Sequence, residues 1–291
     1  MRISVLSLLL CLAPMLPAGA AAEALELEPI RALLRDRATR PQAQAAIERL
    51  LADHPRSAAA HALLGAAKLQ QDDVTGAVQA YEHAASLAPA DSEIQRQLGD
   101  AYGRSAQKAG ALSKLGWARK CKAAYEKAVA LDPRNLAARQ SLLTFYQAAP
   151  GIVGGGMDKA YAQAAAIKEL DPTRGRLAFA NLYVAEKKFA AAFAEHEAVL
   201  RDEPDNYAAL YQIGRLAALS GERLDAGLAA LGRCLELDPP AGQPGRAPTQ
   251  WRIGNLHEKR GDLAAARAAY EEALRTQPDF AEARASLQKL D

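Results

Sequence analysis

Apolar residues recur three and four positions apart along most of this chain, in runs of about three helical turns separated by short polar breaks. Ile47, Leu50 and Leu51 mark one such face, and no long segment alternates cleanly between apolar and polar residues as a half-buried strand would. The pattern predicts helices throughout. Pro89, Pro133, Pro172, Pro204, Pro239 and Pro278 punctuate it at intervals of 32 to 44 residues. Proline cannot continue a helix and biases the residue before it away from the helical region, so each is read as closing a unit. An acid often precedes it, as in Asp132-Pro133, Asp171-Pro172, Glu203-Pro204 and Asp238-Pro239.

The units repeat. Leu64-Gly65 and Leu98-Gly99 are 34 residues apart. Ala77, Tyr81, Ala84 and Pro89 follow Gly65 at the same offsets as Ala266, Tyr270, Ala273 and Pro278 follow Gly254. Gly65, Gly99, Gly214 and Gly254 fall inside predicted helices, where glycine costs about 1 kcal/mol relative to alanine. That cost is tolerable if the missing Cβ lets the second helix of a hairpin approach, with Ala77 and Ala266 doing the same from the other side. Tyr81, Tyr125 and Tyr270 are then expected to fill the wedge between successive hairpins. The segments Leu64-Gly65…Tyr81-Glu82-His83-Ala84…Pro89 and Ile253-Gly254…Tyr270-Glu271-Glu272-Ala273…Pro278 resemble the signature of the tetratricopeptide repeat family, whose period is about 34 residues.

The resemblance implies an all-α fold, a right-handed superhelical solenoid of antiparallel helix pairs over residues 23–291. Repeats are expected at 24–57, 58–91, 92–135, 136–172, 173–206, 207–241 and 247–280. A last helix, 281–290, with Glu282, Arg284, Gln288 and Lys289, suits the polar cap that terminal repeats need. Three departures stand out. Residues 103–120 are inserted between, or extend, the helices of the 92–135 unit. Leu143 replaces the glycine of the next unit, which carries Gly151 to Gly156 between its helices. Pro239 to Pro248 reads as a loop.

Residues 1–22 read as a signal peptide. Arg2 gives a positive start, Ile3 to Leu16 is mainly apolar, and Ala18-Gly19-Ala20 or Ala20-Ala21-Ala22 offers a small-x-small cleavage site. The apolar run is short for a membrane span, which takes about 20 residues. A periplasmic or secreted protein is therefore expected, with no integral span after cleavage. Cys121 and Cys234 lie about three repeats apart, in helices whose immediate neighbours stand about 8–10 Å away. A disulfide needs Cα atoms within about 7 Å, so both are read as buried packing residues.

The net charge is +2, which gives no general reason to expect nucleic acid. Catalytic and metal motifs are missing as well. The histidines are scattered rather than paired for zinc, no nucleophile elbow occurs, and Ser105-Ala106-Gln107-Lys108 lacks the companion motifs of its enzyme class. The glycine run has no G-K-[ST] after it and reads as a turn, with Asp158 capping the following helix. No enzyme activity, cofactor or metal is expected.

Binding is the remaining class. With 3.6 residues per turn, the residues three before and one after the repeat glycine share a face. The resemblance implies that this face lines a concave groove contacting a protein or peptide. The residues on it are Arg96 and Asp100 around Gly99, Leu177 and Asn181 around Ala180, Tyr211 and Arg215 around Gly214, and Trp251 and Asn255 around Gly254. Leu177, Tyr211 and Trp251 stand where the family's carboxylate clamp would need lysine, which puts that specificity in doubt. The alternative surface is the basic insert 103–122. Arg104, Lys108, Lys114, Arg119, Lys120 and Lys122 lie there without an acid, interleaved with Leu112, Leu115 and Trp117, as a contact for anionic lipid or glycan would require.

Overall fold

A computed structural model describes residues 18–290, and its regular structure is helical, with no strand among the described residues. The signal-peptide expectation lies outside the described residues over 1–17. In chain order the helices are α1 (Ala18–Arg35), α2 (Arg40–Asp53), α3 (Ala58–Gln70), α4 (Val74–Leu87), α5 (Ser92–Lys108), α6 (Ala111–Leu131), α7 (Leu136–Ala148), α8 (Met157–Leu170), α9 (Pro172–Ala185), α10 (Phe189–Asp202), α11 (Tyr207–Ser220), α12 (Leu224–Glu236), α13 (Arg246–Arg260), α14 (Leu263–Thr276) and α15 (Ala281–Leu290).

The chain divides into two compact units, Met1–Ala138 and Arg139–Asp291. Within the first, helices α1 to α6 each pack on their successor, and the first helices of neighbouring hairpins also touch, α1 with α3 and α3 with α5. Within the second, α8 to α15 follow the same rule, and α11 lies against α13. Connections of a few residues leave consecutive helices antiparallel. The starts of the helices are written in the sequence. Ser57, Asp73, Asp91, Asn206 and Asp262 each accept a hydrogen bond from the backbone N–H three residues on, satisfying a donor that the first turn leaves free.

The repeat glycines admit the second helix of their own hairpin, as their missing Cβ implies. A Cβ added to Gly65, Gly99 or Gly254 would lie 2.7, 2.5 or 2.3 Å from the ring of Tyr81, Tyr125 or Tyr270 respectively. Each ring belongs to the second helix of the same hairpin. The glycine leaves a hollow that a flat ring fills, and all three tyrosines are buried. At Gly214 the occupant is Leu231, 2.3 Å from the position a Cβ would take.

Other local expectations shift for simple reasons. Pro172 opens α9 rather than closing a unit, because the first turn needs no N–H from it, and Asp171 caps the helix. The loop after α12 is shorter than Pro239–Pro248, since α13 begins at Arg246 and Pro248 sits harmlessly in its first turn. The N-cap of α8 is Gly156, with Asp158 already inside the helix. The insert 103–120 does not form a loop: it lengthens α5 to 17 and α6 to 21 residues, leaving Ala109 and Gly110 between them. Cys121 and Cys234 are buried free thiols, and burial pushes them up to about 12 and about 11.

Candidate functional site

In the second unit an open cleft of about 430 Å³ lies between the first helices α11 and α13. Its walls are Arg215, Ala218 and Leu219 from α11, and Arg252, Asn255, Glu258 and Lys259 from α13. The hollow at Gly254 also builds this wall. Tyr270, seated there, places its hydroxyl 2.7 Å from Glu258 Oε2 and 2.8 Å from Asn255 Oδ1. A phenol has one proton, and the charged carboxylate is the better acceptor. Burial first, and the Glu258 carboxylate second, raise the phenol above its ordinary range, so it remains a donor. Arg215 has no such anchor, because Leu231 replaces tyrosine over Gly214, and its Nη1 donates only to neighbouring Gln212.

The expected groove residues therefore separate. Arg215 and Asn255 meet in the cleft. Tyr211 does not: it is buried in a core cluster with Phe193, Leu210 and Leu231. Trp251 is half-buried and packs edge-on against Phe280, while its Nε1 donates to Ser286 on α15 at 3.0 Å. Both rings gain more from burial than from water. Asn181 is exposed on α9. In the first unit Arg96 donates to Glu93 and, at 2.5 Å, to Asp100, and Asp100 also accepts the Tyr125 hydroxyl at 2.6 Å. That pair is closed on itself. Arg252, Glu258 and Lys259 were not expected, although extending the face by one more turn (Arg215 to Leu219, Asn255 to Lys259) reaches two of the cleft's residues.

The basic insert is largely neutralised by neighbours. Lys108 lies 2.5 Å from Asp72, holding that carboxyl below its usual range, and Arg104 is 3.9 Å from the same side chain. Lys120 reaches Glu82 at 3.8 Å and lies over the rings of Trp117 and Tyr102, and Lys122 is 3.9 Å from Glu126. Lys114 and Arg119 are exposed and have no ion pair among the described residues. Leu112, beside Lys114, is 100% exposed. Among the described residues, no group of three or more His, Cys, Asp or Glu side chains could hold a metal ion, and no helix is long and apolar enough to cross a membrane.

Stacked helix hairpins, four of them locked by a second-helix side chain over a first-helix glycine, define a helical-repeat protein. The tetratricopeptide repeat family model matches residues 102–135 and 247–280, so the chain contains tetratricopeptide repeats. No curated protein sequence matches it. Its fold is similar to that of a tetratricopeptide repeat protein from Parabacteroides merdae ATCC 43184, with a TM-score of 0.60 at 14% identity over 93% of this chain and 99% of that one. It is similar to pilF of Pseudomonas aeruginosa, with a TM-score of 0.54 at 16% identity over 81% and 98% of the two chains. Yeast Tom70 gives 0.62 at 16% identity, over 87% of this chain and 51% of Tom70. At these identities the likeness is one of fold.

Proposed function

We propose that the chain is an exported, non-enzymatic interaction scaffold that holds a segment of a partner protein in the cleft between α11 and α13. The tetratricopeptide fold supports the general role of protein binding. The observation that carries the finer reading is the cleft itself. Cationic groups, the Asn255 amide and a partly exposed leucine face one opening, so apolar contact and hydrogen bonding are offered together. Export rests on the leader-like pattern of residues 1–22.

A matched pair of positions tests the assignment. Leu219 in the cleft and Leu263 at the start of α14 are each 54% exposed. A photo-crosslinking residue at Leu219 should trap a protein partner several-fold more efficiently than one at Leu263. Equal trapping at the two positions would remove the cleft from consideration.

A second reading has its own observation: fully exposed Leu112 near the tip of the α5–α6 hairpin, with Lys114 beside it and Arg119 two turns further along α6, both without an ion pair among the described residues. Here the tip would rest on an anionic bilayer, as cations near such a surface contribute about 1 kcal/mol each. Vesicles containing phosphatidylglycerol should then sediment the protein in low salt, and Leu112→Asp combined with Lys114→Glu should reduce this to the level seen with neutral phosphatidylcholine. No difference between the two vesicle types would end that reading.

A further inference from the structure

The wall of the cleft carries three cations, Arg215, Arg252 and Lys259, against one acid, Glu258. Several cations of the second unit outside the cleft close on carboxylates: Arg174 on Asp171, Arg176 on Glu195, Arg223 on Glu197, Arg233 on Asp205 and Glu236, and Arg260 on Asp225. Arg215, Arg252 and Lys259 do not. Arg215 donates to the neutral Gln212 at 3.1 Å. Arg252 lies over Trp251, with its guanidinium carbon 4.5 Å from the ring centroid, and its Nε is shielded from water without a hydrogen-bond partner. Lys259 is exposed and has no carboxylate partner among the described residues. Glu258, the one acid in the wall, is already engaged by the Tyr270 hydroxyl.

We infer that the segment taken up by this cleft is acidic, with aspartate or glutamate side chains inside an extended stretch that also carries an apolar residue to lie against Leu219. The inference rests on the cleft being the capture site and adds the chemistry of its occupant. Three cations facing one opening repel one another, and an anionic segment relieves that repulsion while supplying the missing acceptors. Their distribution favours side chains over one terminal carboxylate. Arg252 and Lys259 are seven residues apart on α13, about 10 Å along the helix, with Arg215 on the opposite wall. Extended chain advances about 3.3 Å per residue, so carboxylates a few residues apart span that distance. The cations also occupy places other than those where the family's terminal-carboxylate clamp would want lysine, which here hold Leu177, Tyr211 and Trp251.

Fluorescence anisotropy with short labelled peptides, acetylated and amidated so that no terminus is charged, tests the inference on the full chain. The probe carries glutamates flanking leucines, and its control replaces every glutamate by glutamine. The acidic peptide should bind about tenfold or more tightly than the control, and the gap should shrink as salt is raised. Arg215→Gln with Lys259→Gln, both at exposed positions that leave the core untouched, should abolish the difference. Equal binding of both peptides would overturn the acidic specificity while leaving segment capture intact. Binding only when the peptide carries a free terminal carboxylate, or no binding of the acidic peptide, would also overturn it. Crosslinking at Leu219 independently reports whether the cleft is occupied.

Discussion

Tyr270→Ala is expected to cost about 3–5 kcal/mol of stability, the range for truncating a fully buried aromatic side chain. The ring is 0% exposed and fills the hollow over Gly254, which has no side chain to relax into the space left behind. Its hydroxyl also engages Glu258. The reciprocal change, Gly254→Ala, places a Cβ 2.3 Å from the ring and forces the tyrosine outward. Overpacking costs about 1–3 kcal/mol, and the better helix propensity of alanine offsets about 1 kcal/mol of it. The two changes touch the same space, so they should not add. In urea unfolding, Gly254→Ala on the Tyr270→Ala background should be neutral or stabilising, because the clash has gone and the propensity gain remains. Strict additivity in that cycle would show that the glycine does not exist to seat the ring.

The second large effect is a loss of stability in mild acid. His196 on α10 is buried, its Nδ1 has no hydrogen-bond partner, and burial lowers its pKa to about 4 from an ordinary 6.5. In this range the unfolded chain takes up a proton that the folded chain refuses, so stability falls as pH falls from about 6.5 towards about 4. The full penalty is about 3 kcal/mol, of which about 2 kcal/mol has accrued by pH 5. Glu195 and Glu197, its sequence neighbours, are engaged with Arg176 and Arg223. The depressed carboxylates, Asp72 and Glu186 among them, lose their contribution only at lower pH as they become protonated. Thermal melts at pH 7 and pH 5 should show a drop in Tm that His196→Leu largely abolishes. An equal drop in the variant would place the acid sensitivity elsewhere.

The helical repeat is legible in the sequence because its signals are local. The proline breaks, the capping Ser, Asp and Asn residues, and the 34-residue step from Gly65 to Gly99 all lie within one hairpin or recur between hairpins. What covers a given face is not local. Tyr211 and Trp251 occupy equivalent places after the same kind of spacing. Yet Tyr211 is enclosed by the unit's core, and Trp251 is held by Phe280 and Ser286 some thirty residues on. The basic insert reads as six free cations because Asp72 and Glu82, which receive three of them, belong to the preceding hairpin. The cleft was half visible. The face rule reaches Arg215 and Asn255, but stopping one residue after the glycine omits Leu219 and Lys259 on the next turn. Arg252, three residues before Asn255 and seven before Lys259, shares their face but falls between the steps of four that lead from Trp251 to Asn255 and Lys259.

Side-chain NMR during titration with the glutamate–leucine peptide most directly tests whether a partner segment is held between α11 and α13. The Leu219 methyl and Asn255 amide signals should shift together and saturate, with Leu112 and Leu263 methyls unmoved. Saturating shifts at Leu112 or Leu263 with Leu219 and Asn255 silent would contradict the assignment of the binding face.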